Sequence, residues 1–176
     1  PNGPLLLASD GNFYATTLAG GAHTCIKLSV SIGCGAIVKV TPDGTGSVLY
    51  SFGATTFDGN TPNGPLIQGQ DGALYGVTAK GGANVGGGTV YRITLDGDYS
   101  ILYSFGSTPT DGIVPTGRLA QASNGDLYGV TASGGDNECV QIPQAGSNCG
   151  TVFRTTLTGE TTIVYSFGSS PDDGVT

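Results

Sequence analysis

The sequence is short of basic residues and of long apolar segments. Only six Lys and Arg residues stand against 13 Asp and Glu residues, so the formal net charge is −7. This balance argues against nucleic acid and anionic membranes as partners, because no basic patch is present to neutralise phosphates. No run approaches the ~20 consecutive apolar residues of a transmembrane helix. We therefore expect neither nucleic-acid binding nor membrane insertion in this segment.

Met and Trp are absent, and His23 is the only histidine. A chain without Met does not begin at a translation start, and no signal peptide is recognisable. We therefore expect a processed or excerpted piece of a longer product. A single His, with no nucleophile motif around a Ser or Cys, leaves no catalytic triad to build. The sequence thus predicts no catalytic residue and no cofactor, and we expect that the protein is not an enzyme.

Glycine is abundant, and short motifs recur at regular intervals. The chain contains 32 Gly in 176 residues. The tetrapeptide Tyr-Ser-Phe-Gly occurs at residues 50–53, 103–106 and 165–168. Because the flanking residues recur with it, the chain consists of three copies of one unit. The predicted units are repeat one at residues 1–61, repeat two at 62–114 and repeat three at 115–176.

Each repeat contains four short segments with the alternation of a β-strand, separated by turn signals. The first turn reads Asp10-Gly11, Asp71-Gly72 or Asn124-Gly125, which favours a type I′ hairpin turn. Four strands in 53 to 62 residues is the size of one propeller blade. The predicted fold is therefore all-β, with three tandem four-stranded antiparallel sheets in a propeller-blade-like repeat array.

Recurrent aromatic residues are the predicted core between neighbouring sheets, since one sheet alone cannot bury both of its faces. They occupy three positions of each repeat, namely Tyr14, Tyr75 and Tyr128, then Tyr50, Tyr103 and Tyr165, then Phe52, Phe105 and Phe167. The alternative role of such an aromatic ladder is a sugar-binding platform.

All four cysteines lie in the two long loops that make repeats one and three longer than repeat two. Each loop carries one pair, which predicts the disulfides Cys25–Cys34 and Cys139–Cys149. The alternative is a zinc site, but zinc favours two close pairs or added histidines. Disulfides indicate an oxidising compartment, so we expect an extracellular or cell-surface location.

Aspartates recur next to glycines, and three of the six basic residues share one repeat position. The aspartates are Asp10, Asp71, Asp58, Asp111 and Asp173, and the basic residues are Lys39, Arg92 and Arg154. Turn formation is the simplest role of the aspartates. Paired carboxylates for glycoside hydrolysis and calcium ligation are the alternatives. The basic residues are expected to be solvated, with modest ion pairing to an Asp.

The motif order in repeat two resembles a known family. It runs Asp71-Gly72-x-x-Tyr75-Gly76-x-Thr78 and then Gly88-Thr89-Val90-Tyr91-Arg92, and the whole chain follows it. This pattern resembles the GloVer tandem repeat of bacterial exported, often surface-anchored proteins. Repeat one departs from it at Ala15 and Ala36. The resemblance implies an exported array of propeller-like sheets and transfers no catalytic residue.

Three functions are compatible with these observations. The first is a non-enzymatic extracellular structural or scaffold protein that packs repeat on repeat, with a head-to-tail filament as one form. The second is a propeller-type adhesin module that binds glycan or protein, and the third, weaker one is part of a polysaccharide-active enzyme. The residues after Asp173 read into Pro1 as those after Asp58 read into Pro62. We therefore expect the partners to be further repeats or copies of the chain, in a six-repeat ring or an open filament.

Overall fold

Strands account for all the regular structure in the described part of the chain. The computed structural model describes residues 1–27, 30–84, 86–137, 149–168 and 173, and no helix occurs in them. In these described residues, fifteen strands form four sheets, and every pairing is antiparallel. The predicted all-β class is confirmed.

The first sheet and a small hairpin sheet are formed by repeat one. The first sheet has the order β1-β2-β5-β6, with β1 at Leu6–Leu7, β2 at Phe13–Thr17, β5 at Ala36–Val40 and β6 at Gly46–Ser51. The hairpin sheet consists of β3 (Thr24–Lys27) and β4 (Val30–Gly33) and lies in the loop between β2 and β5.

The second and third sheets follow in chain order. The second sheet has the order β11-β10-β9-β7, and β8 also pairs with β9; its strands are β7 (Gly59–Pro62), β8 (Ile67–Gln68), β9 (Leu74–Gly81), β10 (Thr89–Ile93) and β11 (Tyr99–Ser104). The third sheet has the order β12-β13-β14-β15, with β12 at Gly112–Gln121, β13 at Leu127–Gly134, β14 at Thr151–Thr155 and β15 at Thr161–Ser166.

The prediction of three four-stranded sheets is therefore corrected to sheets of four, five, four and two strands. The long loop of repeat one forms its own hairpin, which adds a sheet. In the second sheet, Pro65 cannot donate a ladder hydrogen bond, and the first strand is split into β7 and β8. Repeat three has Arg118 where repeat two has Pro65, and β12 runs on with a register shift between Thr116 and Ala120.

The Asp-Gly and Asn-Gly pairs lie at hairpin turns as predicted, but the turn type is different. A type I′ turn needs positive φ at both central residues. Among the described residues, only Gly11 of the pair Asp10-Gly11 has positive φ, at 77°. The Gly11 N–H donates to the carbonyl of Ala8 at 3.0 Å, and Gly72 and Gly125 repeat this contact. Each is a type I turn followed by a left-handed glycine.

Two hydrophobic clusters fill the spaces between consecutive sheets. The first cluster packs one face of the first sheet (Tyr14, Ile37 and Phe52) against one face of the second (Leu66, Leu74, Tyr91 and Ile93). The second cluster packs the other face of the second sheet (Tyr75, Val77, Val90 and Phe105) against the third (Leu119, Leu127 and Phe153). We call the face toward the following repeat the leading face and the other the trailing face.

The predicted aromatic core is only partly buried. Tyr14, Tyr75, Phe52 and Phe105 are fully buried, whereas Tyr50, Tyr103, Tyr128 and Phe167 are half-buried. Tyr165 is 40% exposed, so the prediction that it is mostly buried is wrong. The reason is its position on the leading face of the third sheet, which no further sheet covers among the described residues.

The departure of repeat one at Ala15 has a packing reason. The register pairs three equivalent positions as Ala15–Val38, Gly76–Tyr91 and Gly129–Phe153. A Cβ at Gly76 would contact the Tyr91 hydroxyl and lie 2.6 Å from its ring carbon Cζ. Repeats two and three therefore need glycine beneath an aromatic ring, whereas the smaller Val38 leaves room for alanine.

Candidate functional site

A disulfide ties the long loop of repeat one to the core. Cys25 and Cys34 are bonded, as predicted, and Cys34 is buried within the first cluster. Closing a loop of this size is worth roughly 2.5–3 kcal/mol in the chain-entropy model. In the second predicted bond, Cys139 lies outside the described residues. Cys149 is disulfide-bonded, and no cysteine in the described part is a free thiol.

The recurrent basic residues form ion pairs close to the first turn of each repeat. Asp10 Oδ2 accepts hydrogen bonds from the Tyr14 hydroxyl at 2.8 Å and from Lys39 Nζ at 3.1 Å. Repeat two has the same arrangement in Asp71, Tyr75 and Arg92, and repeat three pairs Arg154 with Asp126 at 2.6 Å because its turn residue is Asn124. Such partly exposed pairs contribute about 0–1 kcal/mol each.

The same contacts change the pKa values of the acidic and phenolic groups. Burial raises the pKa of the Asp71 carboxyl, but hydrogen bonds from Arg92, Tyr75 and the Ala73 amide outweigh it, and the pKa falls below its ordinary value. At Asp10, hydrogen bonds likewise outweigh the effect of burial, and the pKa of the carboxyl is lowered. Burial and the hydrogen bond to Asp71 raise the pKa of Tyr75 to about 12. These aspartates are held as charged acceptors within their own repeats.

A second group of aspartates closes the loop that leaves each sheet. Asp58 Oδ2 accepts the Tyr50 hydroxyl at 2.9 Å and the backbone N–H groups of Gly53 and Ala54 at 2.7 and 3.0 Å. Asp111 receives the equivalent bonds, and Asp173 accepts the Tyr165 hydroxyl. Sequence reasoning did not find these contacts, although each Tyr–Asp pair has the same separation of eight residues.

The described residues contain no group of three or more His, Cys, Asp or Glu side chains that could hold a metal ion. In the same part of the chain, no helix is long and apolar enough to cross a membrane.

The end sheets expose positions that the internal junctions bury. Leu5 on the trailing side of repeat one is 60% exposed, whereas its equivalent Leu66 is 3% exposed. Val130 on the leading face of the third sheet is 38% exposed, whereas its equivalent Val77 is 1% exposed. Both ends of the array therefore present apolar surface of the kind that joins one repeat to the next.

Successive antiparallel sheets that bury recurrent residues between them define an all-β tandem-repeat protein. The chain belongs to the Gloeobacter/Verrucomicrobia repeat family, whose model matches residues 1–176. This match confirms the family that the sequence motifs resemble. The disulfide is in keeping with the oxidising environment expected of an exported protein.

Similarity to other proteins supports the fold alone. No curated protein matches the chain. A crystal structure from Dyadobacter fermentans DSM 18053, described as a protein of unknown function, is similar over 90% of this chain, with a TM-score of 0.55 and 10% sequence identity. The chain spans about half of that structure's length, since the match covers 48% of it.

Proposed function

We propose that the chain is a non-enzymatic extracellular scaffold whose repeats associate head to tail through its two end sheets. One observation carries this proposal: the positions that pack at both internal junctions are the ones exposed at the two ends of the array. The leading face of the third sheet is complementary, by repeat equivalence, to the trailing face of the first.

The leading face of the third sheet repeats the composition of a face that is buried elsewhere. Val164 is equivalent to Leu102, which packs against the second cluster. In the third sheet more than half of the surface of Val164 is exposed, and Val130, two strands away, is also exposed. Burying one such side chain stabilises a contact by about 1.5–3 kcal/mol.

The trailing face of the first sheet offers the matching surface. Val48 is equivalent to Ile163, which packs from the third sheet against the second cluster. Val48 itself is exposed, as is Leu5 nearby in the repeat. A contact between this face and the leading face of the third sheet would therefore reproduce an internal junction with one break in the chain.

The internal junctions contain a polar contact that the end faces lack. Gln68 Oε1 accepts the Ser9 N–H at 2.8 Å, and Gln121 Oε1 accepts the Gln70 N–H at 2.9 Å in the next junction. Leu7 occupies the equivalent position of repeat one and cannot make this bond. The association between chains is therefore expected to be weaker than the internal packing and to depend on protein concentration.

The test is light scattering of the 176-residue chain after size-exclusion chromatography at micromolar concentration. We expect dimers or larger assemblies for the unmodified chain and monomers for Val48→Glu and for Val164→Glu. Leu18→Glu, at an exposed apolar residue of a loop, is the matched control and should leave assembly unchanged. A folded monomer of the unmodified chain at these concentrations would overturn the proposal.

Mixing the two variants tests the head-to-tail geometry. Val48→Glu retains an intact leading face and Val164→Glu an intact trailing face, so an equimolar mixture should form a dimer with one junction. Association of either variant with itself would show that identical faces pair, which contradicts the head-to-tail arrangement.

A further inference from the structure

A groove of about 400 Å³ opens at the junction between repeats one and two, beside the loop that follows β6. Its lining includes Thr56, Phe57, Asn60, Lys80 and Gly82. The Phe57 ring is 64% exposed and contributes to neither hydrophobic cluster. Phe57 therefore lies outside the sheet-to-sheet core and presents apolar surface at the groove.

The groove residues are departures from the repeat pattern. The next junction has Thr110 at the position of Phe57, Ile113 at that of Asn60 and Ser133 at that of Lys80. Residues shared by all repeats serve the packing of sheet on sheet. Three chemically distinct departures in one groove are therefore not explained by the requirements of the fold.

Lys80 supplies an unpaired positive charge to this groove. Lys39, Arg92 and Arg154 each contact an aspartate, whereas Lys80 has no carboxylate within salt-bridge distance in the described residues. Lys80 lies directly opposite Asn60 in the β7–β9 register, so both side chains stand on one side of the sheet. In a chain of net charge −7, this places a local cation beside an amide and an aromatic ring.

We propose that this groove binds an acidic saccharide, a glycan that carries a uronic-acid carboxylate. The Phe57 ring offers an apolar platform for the C–H face of a pyranose. Lys80 binds the carboxylate through a charge-assisted hydrogen bond, and Asn60 hydrogen-bonds to the sugar hydroxyls. An apolar surface with a few convergent polar groups is the usual composition of a small-ligand site.

The test is a titration of the isotope-labelled chain with a galacturonic acid trisaccharide, followed by NMR chemical shifts, with maltotriose as the neutral probe. We expect saturable shifts around the groove, with the acidic probe binding more tightly. Phe57→Ala and Lys80→Ala should each weaken binding about tenfold. Thr110→Ala, at the equivalent position of the next junction, is the matched control and should bind as the unmodified chain does.

Several outcomes would overturn the inference. They are an absence of saturable shifts up to about 10 mM acidic probe, shifts centred outside the groove, equal affinity for maltotriose, or tighter binding of an Asp-rich peptide. The inference does not rest on head-to-tail association, so Val48→Glu and Val164→Glu should retain binding. Loss of assembly with retained binding would separate the two proposals.

Discussion

The substitution Gly76→Ala tests whether a glycine is required beneath the aromatic ring of the opposing strand. The added Cβ would lie 2.6 Å from Tyr91 Cζ. The Tyr91 ring cannot move away easily, since it is fully buried and packs edge-on against Phe52 at 5.2 Å between ring centroids. Overpacking of this kind costs about 1–3 kcal/mol. Replacing Gly by Ala in a strand regains roughly 0.4–1 kcal/mol through the unfolded chain, so we expect a net loss of about 1–2 kcal/mol.

Repeat one provides the compensating change. Because Ala15 lies opposite Val38, the double variant Gly76→Ala/Tyr91→Val reproduces a pair that the fold already contains. Tyr91→Val alone should destabilise by opening a cavity in the first cluster. In a double-mutant cycle, the two changes together should cost less than their sum, with a coupling of about 0.5–3 kcal/mol.

The assay is urea unfolding followed by far-ultraviolet circular dichroism, with the free energy of unfolding compared among the four proteins. Gly46→Ala is the matched control, because Gly46 begins β6 without positive φ and a Cβ there meets no atom within 4 Å. It should be neutral or slightly stabilising. If Gly76→Ala were as stable as Gly46→Ala, or if the cycle showed no coupling, the requirement for glycine beneath the ring would be refuted.

Three further predictions follow from the buried hydroxyl, the disulfide and the titrating groups. Tyr91→Phe should be neutral or stabilising by about 1 kcal/mol in urea unfolding, because the Tyr91 hydroxyl is buried without a hydrogen-bond partner; a clear loss would show that it has one. Removal of the Cys25–Cys34 disulfide in the double variant Cys25→Ala/Cys34→Ala should lower the melting temperature, by an amount that corresponds to roughly 2.5–3 kcal/mol. The pKa of Tyr75 is raised to about 12 from 10.0, so its contribution to stability is complete below pH 10 and is lost as pH rises toward 12. The lowered pKa of Asp71 gives a contribution that is present above pH 3.8 and lost at lower pH. Melting temperatures across the pH range check both signs, with Tyr75→Phe as the control for the alkaline loss and Asp71→Asn as the control for the acidic loss.

Local sequence predicted most of the strands and the position of the first turn of each repeat, but it predicted neither the turn type nor the β3–β4 hairpin. Asp10-Gly11 suits a type I′ turn, and it equally suits a type I turn followed by a left-handed glycine. Which one forms depends on the φ of the aspartate, and Asp10 does not take the positive value that type I′ requires. The split of the first strand in repeat two depends likewise on Pro65, which weakens strand pairing only at that place.

Burial could not be predicted from the motif alone, because it depends on the neighbouring sheet. The same Tyr-Ser-Phe-Gly motif buries Phe52 and Phe105 fully and leaves Phe167 half-buried. The candidate groove was missed for a related reason. Candidate residues were chosen because they recur in the three repeats. Phe57 and Lys80 do not recur, so this criterion did not select them.

Two β-branched residues take a positive φ at equivalent places, one within β7 and one within β12. Thr61 and Val114 take φ values of 57°, a conformation that β-branched residues rarely adopt. Each N–H donates at 2.9 Å to a carbonyl of the same repeat, Thr61 to Cys34, two residues before β5, and Val114 to Gly87, two residues before β10. Two different residues are strained in the same way at the same position of the strand, so the strain belongs to this backbone position and not to the side chain. The hydrogen bond to that carbonyl holds the backbone in this conformation, and a proline follows each of the two residues within the strand.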